Sequence, residues 1–341
     1  MEKVELGRYE ITGRLGSGAD YDVRVAADQE TGRQVVLKRP MPQAISRNQH
    51  WAIEARTERM VQVYQEVLPS PELVAPILAY TDREIHDSYF GDELGTEYTV
   101  IVQERARGIP LLGDMMSKIK GVPIAAGQNL FAMFPLVRNL TIPEFPVHNK
   151  LLDLQQAYLD VGYVVLDLRP QNIFYQPGSG KITLIDTGAL AGPGIEAPRG
   201  RPPYDANDAC LELIKFYTTP EEPPQQADGY RDARGIRPIV SLKQEIDELG
   251  LALAQATGSV EASGRVILEK IRDRDYTEYG QFRSDMNAYL NEVRVRNSQL
   301  VGCQEAKNAW TEALEWLRQD YLRGFLFDAE EELRGYDCAV T

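Results

Sequence analysis

The chain has 341 residues, 43% of them hydrophobic, which is enough for one large two-lobed domain or two smaller ones with a sizeable core. Its 37 Lys and Arg against 51 Asp and Glu leave a net charge of −14, which argues against nucleic acid as the main partner, because phosphate backbones select basic surfaces. No apolar run approaches a membrane span, Met1-Glu2-Lys3-Val4-Glu5 lacks signal-peptide character, and Cys210, Cys303 and Cys338 suggest neither a disulfide framework nor a zinc site, so a reducing cytoplasm is the expected setting.

In chain order, Tyr9 to Leu15 reads as a strand entering Gly16-Ser17-Gly18, Tyr21 to Ala26 alternates back out, and Gly32 opens a third strand, Gln34 to Lys38. Glycines between paired strands let backbone amides approach phosphates without side-chain obstruction. Trp51 to Leu68 reads as an amphipathic helix with Ile53, Met60, Val61, Tyr64 and Leu68 on one side, and it carries Glu54 and Glu58 one turn apart. Thr99 to Glu104 is a buried-looking strand running into Arg105-Ala106-Arg107-Gly108.

Further on, Asn149 to Gly162 has a helical pattern and delivers the chain to Asp167-Leu168-Arg169-Pro170-Gln171-Asn172. A hairpin follows, with Asn172 to Tyr175 and Ile182 to Ile185 flanking a Pro177-Gly178-Ser179-Gly180 turn, and it leads into Asp186-Thr187-Gly188. This arrangement sets an acid and an amide on one loop and a second acid before a glycine on the next strand end. Phosphoryl transfer from a magnesium nucleotide needs those groups: Asp167 to orient a hydroxyl, Asn172 and Asp186 to hold metal ions. A helix is expected over Ser298–Thr341, where Trp310, Leu314, Leu317, Tyr321 and Phe325 recur at three- and four-residue steps.

The ordered set of glycine hairpin, strand lysine, acid-amide loop and Asp-x-Gly resembles the protein kinases over about Tyr9 to Val293. Within that span, Asp208–Tyr217 and Leu268–Glu292 resemble the central and closing helices of the protein-kinase large lobe. The resemblance implies an α+β, bilobal fold with an antiparallel-sheet N-lobe (1–106), a mainly helical C-lobe (107–294) and a helical extension (295–341). It implies ATP and Mg2+ as cofactors, with Gly16, Ser17 and Gly18 over the phosphates. Lys38 would pair the α- and β-phosphates and be held by Glu54 or Glu58, between which the apolar spacing does not decide. Backbone groups along Gln103, Glu104 and Ala106 would meet the adenine edge, with Val23, Val36 and Phe174 enclosing the ring. Arg169 would stand where serine/threonine kinases keep a lysine that steadies the γ-phosphate.

The chain also departs from that pattern. Val165-Leu166-Asp167 replaces His-Arg-Asp, so the usual receptor for an activation-loop phosphate is missing. Thr187 replaces the phenylalanine of Asp-Phe-Gly, and Tyr21 replaces the third loop glycine. Tyr21 is flanked by Asp20 and Asp22, which disfavour a triphosphate unless they face away or meet a metal. The stretch from Gly188 to Asp208 is short, and Arg199 of Ala197-Pro198-Arg199 invites an ion pair with Asp273 or Asp275. Three functions fit: a serine/threonine protein kinase with a protein substrate, a pseudokinase that binds nucleotide or acts as a scaffold, and a small-molecule kinase. None requires a membrane or nucleic acid, and the terminal helix is either packed on the large lobe or a partner surface.

Overall fold

In the computed structural model, residues 2–17, 20–67, 73–107, 109–110, 147–166, 168, 172–176, 181–193, 204–217, 246 and 262–298 are described. They form an α+β protein with a multi-stranded sheet early in the chain and helices later. The chain divides into two units: Met1–Ala106 together with Asp186–Leu190, and Arg107–Ile185 together with Ala191–Thr341. Among the described residues, no helix is long and apolar enough to cross a membrane.

The first unit is built on a six-stranded sheet. Its strands are β1 (Glu2–Lys3), β2 (Tyr9–Ser17), β3 (Tyr21–Asp28), β4 (Gln34–Pro40), β5 (Ile77–Tyr80) and β8 (Ile101–Glu104), in the order β1-β5-β8-β4-β3-β2. Only the β1–β5 pairing is parallel. Two register shifts in β2, at Ile11/Gly13 and Arg14/Gly16, increase its twist as it approaches the glycine hairpin. The β3–β4 turn is closed by Asp28, whose carboxylate accepts hydrogen bonds from the Thr31 hydroxyl, the Glu30 amide and two of the three guanidinium nitrogens of Arg8. Gly32 supplies the φ of +71° that this turn needs and that side-chain-bearing residues avoid.

Strand β4 is buried on both faces, so Val35 to Pro40 do not alternate with solvent. Pleating sends Val35 and Leu37 to one side, where they pack with Leu6, Tyr9, Ala26 and Val102. The opposite side is covered by α2 (Trp51–Val67), which lays Met60, Val61 and Tyr64 on Ile77 and Ile101. The short helix α1 (Pro42–Ser46) precedes it, starting at Pro42, whose fixed φ suits a first helical position. The His50 carbonyl accepts the Ile53 and Glu54 amides and so opens α2.

Residues 81–98, between β5 and the strand expected from Thr99, have no clear period of their own. They form the ribbon β6 (Glu84–Ile85) with β7 (Glu97–Tyr98), and α3 (Asp87–Phe90). Tyr89, Phe90 and Tyr98 pack on the outer core. Here Arg39, 1% exposed, donates to Asp22 at 3.1 Å, to Asp92 and to the Tyr98 hydroxyl at 3.1 Å, with its guanidinium 3.9 Å from the Phe90 ring centre.

The second unit has β9 (Ile109–Pro110), α4 (Val147–Asp160), β10 (Val164–Val165), β11 (Ile173–Gln176), β12 (Lys181–Leu184), α5 (Ala206–Tyr217), α6 (Ala262–Asp273) and α7 (Tyr279–Ser298). Strands β9 and β12 flank β11 in an antiparallel sheet. Ala209 to Ile214 of α5 are all buried except for slight exposure at Glu212, so this helix is enclosed on every side that is described. Polar side chains lock the helices to main chain. Gln155 bonds both the amide and the carbonyl of Val165, Asn207 does the same for Tyr276, and the Tyr279 hydroxyl donates to Leu152 O. Arg274 pairs with Asp205 and Asp208. Asp273, an expected partner for Arg199, pairs with Arg272. Arg199 and the expected helix at 299–341 lie outside the described residues.

One pH dependence follows from residues 81–100. Thr81 Oγ1 accepts the Val100 amide and lies 3.2 Å from His86 Nε2, both side chains being buried. Burial pushes the His86 pKa down, against the opposing pull of Glu84, nearby carbonyls and Glu54. The unfolded ring takes a proton near pH 6.5 while the folded ring resists, so the stability His86 contributes is present above pH 6.5 and is lost as pH falls through the folded value. Urea unfolding of the protein at pH 7.5 and 5.5 should show a loss at the lower pH that His86→Gln reduces; an identical pH dependence in the variant would remove this role.

Candidate functional site

The site is built in the first unit, where the end of β4, the start of β3, helix α2 and the segment Asp186–Leu190 come together. Lys38 pairs in register with Val23 on one side and Ile101 on the other, so it stands on the face that α2 covers. It is 7% exposed. Burial pushes its ammonium below the usual range, and the Asp186 carboxylate pulls the other way. Asp186 itself is half-buried, and its Oδ1 accepts the Gly188 amide at 3.1 Å. That bond folds Asp-Thr-Gly back on itself and leaves Oδ2 and the second lone pair of Oδ1 for other partners. Thr187 is buried at 2% exposure.

Tyr21 stands on the same face as Lys38. It pairs with Pro40 across β3–β4, two places from the Val23–Lys38 pair, and strand side chains repeat every second residue. Its hydroxyl lies 2.9 Å from Thr57 Oγ1 on α2. Burial raises the phenol's pKa well above its ordinary value, and the negative charge of Asp186 adds to this. A Cβ placed on Gly188 would lie 3.4 Å from Asp186 Oδ1 and 3.8 Å from the Tyr21 hydroxyl, so this side of the turn faces both groups.

The two aspartates beside Tyr21 are both neutralised by arginine. Asp20 takes Arg56 of α2 in a two-point bond at 2.6 and 3.1 Å. Asp22 is fully buried on the opposite face of β3, within 3.0–3.2 Å of Arg14, Arg24 and Arg39. From sequence alone these carboxylates disfavour a phosphate. The pleat sends Asp22 away from the Lys38 face, and Arg56 in α2's second turn claims Asp20.

Of the two glutamates on α2, Glu54 is buried and Glu58 exposed. The Thr99 amide donates to both oxygens of Glu54 at 3.1 and 3.2 Å, and Arg83 approaches them at 3.4 Å. Glu58 takes Arg83 at 2.8 Å, and the same guanidinium lies over Trp51 at 5.4 Å. Arg83 therefore clamps α2 by three of its residues.

Strand β8 carries Gln103, buried, whose side chain donates to Ala75 O, and Glu104, whose amide donates to Pro76 O. Ala106 and Val23 are half-buried and Val36 buried. Gly16 pairs with Val23 and Ser17 with Asp22, so the β2–β3 ladder runs to the edge of the turn. Gly18 lies outside the described residues.

In the second unit, Phe174 is half-buried on β11 opposite Thr183 and Pro110. Asn172 O accepts the Ile185 amide at 2.9 Å, closing the hairpin base one residue before Asp186. Asp167 and Arg169 lie outside the described residues, although the Gln155 clasp on Val165 fixes the main chain two positions before Asp167. Among the described residues, no group of three or more His, Cys, Asp and Glu is arranged to hold a metal. Mg2+ asks for less, commonly one or two carboxylates with water and phosphate completing its shell, and Asp186 is a carboxylate of that kind. No protein-family profile matches the chain, and no curated protein matches it.

The contrast between Asp20 and Asp22 is testable. Asp22→Ala strands buried guanidinium charge and should cost about 3–5 kcal/mol, whereas Asp20→Ala breaks a pair that is a third exposed and should cost under about 1 kcal/mol. Equal losses in denaturant unfolding would refute the assignment of Asp22 to the buried network.

Proposed function

We propose that the chain is a protein-kinase-like phosphotransferase that binds ATP with Mg2+ and transfers the γ-phosphate to a serine or threonine hydroxyl of a protein. The observation that carries this reading is the buried Lys38 behind a glycine hairpin, in the field of Asp186 of an Asp-x-Gly turn. A buried ammonium beside a partly open carboxylate suits a site that receives a phosphate and its metal together.

In that reading Lys38 bonds the α- and β-phosphates, and main-chain amides of Gly16, Ser17 and Gly18 cover them. Asp186 and Asn172 would hold the metal, which would supply positive charge against that of the phosphates. Asp167 accepts a hydrogen bond from the attacking hydroxyl and orients it, and Arg169 steadies the γ-phosphate. Val23, Val36 and Phe174 enclose the base, and the strand edge at Glu104 and Ala106 meets its polar rim. The arginine pairing of Asp20 and Asp22 favours this reading, since it takes two negative charges out of competition with the phosphates.

A second reading, a nucleotide-binding or scaffold module without transfer, is favoured by Glu54. Its carboxylate is engaged by the Thr99 amide and Arg83. A kinase would need a carboxylate on α2 to hold Lys38 during turnover.

Thermal shift with ATP, with and without Mg2+, followed by transfer of labelled phosphate, separates the two. Asp186→Asn should abolish the metal-dependent part of the shift while leaving the melting temperature in buffer nearly unchanged. Asp167→Ala should keep the shift and lose transfer by about a hundredfold to ten-thousandfold. Binding without transfer in the parent would leave the scaffold reading, and no metal-dependent shift in the parent would sink both.

A further inference from the structure

We infer that Tyr21 is the positioning residue for Asp186: its phenol braces the Asp186–Gly188 turn against α2 and the head of β3. This assignment rests on reading Asp186 as the metal ligand. The three parts it joins are far apart in sequence. Tyr21 begins β3, Thr57 lies in the middle of α2, and Gly188 ends the Asp-Thr-Gly turn.

The hydrogen-bond directions are fixed by the partners. The Thr57 hydroxyl donates to Ile53 O of its own helix at 2.9 Å, so the Tyr21 hydroxyl is the donor to Thr57 Oγ1, also at 2.9 Å. With its single hydrogen spent on α2, the phenol oxygen has only lone pairs left. It therefore offers Asp186 no hydrogen bond to compete with a metal, and it acts on the turn as the wall beside it. The side of the turn that faces Tyr21 is Gly188, where an added Cβ would have the Tyr21 hydroxyl at 3.8 Å and Cε2 at 4.0 Å among its nearest neighbours. Gly188 in turn gives its amide to Asp186 Oδ1, which sets the carboxylate's orientation.

Sequence logic points the same way. A phenylalanine after Asp186 would have been the natural apolar anchor for the turn, but Thr187 stands there and its short side chain is buried. Tyr21 supplies a large buried ring from the start of β3. A ligand oriented by a neighbour in this way binds its metal better than one left free, because the ordering has already been done in the fold.

Tyr21→Phe keeps the ring and removes the donor, and Thr57→Val removes the acceptor at constant shape. Each should weaken Mg2+-dependent ATP affinity by about tenfold, while metal-free ATP affinity stays the same. The double variant should be no worse than either single one. Hydrogen exchange followed by mass spectrometry should show faster exchange in peptides covering Asp186–Leu190, with β4 and β8 unchanged. Unchanged exchange in that segment overturns the inference, as does unchanged metal dependence in a parent that binds. A parent that binds no MgATP overturns the proposed function instead, and the exchange result alone then decides whether Tyr21 braces the turn.

Discussion

A lysine ammonium buried at the end of a central strand needs negative charge brought to it, and that requirement organises the first unit. Lys38 lies on β4, a strand covered on both faces, where desolvation disfavours its charge. The compensating field comes from Asp186, nearly 150 positions later, so Asp186–Leu190 belongs with the first unit although its chain neighbours on both sides belong with the second. The hairpin base at Asn172 and Ile185 is the last feature of the second unit before this crossing. Electrostatics and chain connectivity thus meet within one peptide bond of each other.

Around that pair, an acidic chain keeps its charges locally balanced. The overall −14 hides a first unit in which the buried or half-buried acids of the hairpin, the β3–β4 turn and α2 each have a guanidinium partner. Arg39 is the extreme case, with Asp22, Asp92, Tyr98 and Phe90 arrayed about it. Networks of this kind add little net stability over an apolar core, but they punish any arrangement that leaves one member unpaired. That penalty fixes the register of β3 against β4 and the seat of residues 81–100 on the outer face.

The second unit uses uncharged polar groups to the same end. The Gln155 carboxamide bonds both main-chain groups of Val165 in the short strand β10, and Asn207 bonds both of Tyr276, which lies between two helices. Each is a side chain on a helix holding main chain outside that helix. For Val165 that support arrives from α4.

Periodicity and turn chemistry made much of the layout legible. The alternation in Tyr9–Ala26, the helical spacing of Ile53, Met60, Val61 and Tyr64, and the strand pair around Pro177–Gly180 each depend on residues near one another in sequence, and the structure has β2, β3, α2, β11 and β12 there. The types of chemistry available were legible too, because a lysine, an acid-amide loop and an Asp-x-Gly turn can be named without knowing where they meet. What the sequence could not decide were the partners. Which glutamate of α2 would be buried, and that it would face Thr99 and Arg83, depended on the fold of 81–100, whose short β6, β7 and α3 give too few residues for any period to register. Nor could it tell that Asp22 would turn away from Lys38 while Tyr21 turned toward it. A strand's two faces are equivalent in sequence until something covers them, and only the packing of α2 on one side and of Phe90 and Tyr98 on the other assigned these neighbours their opposite roles.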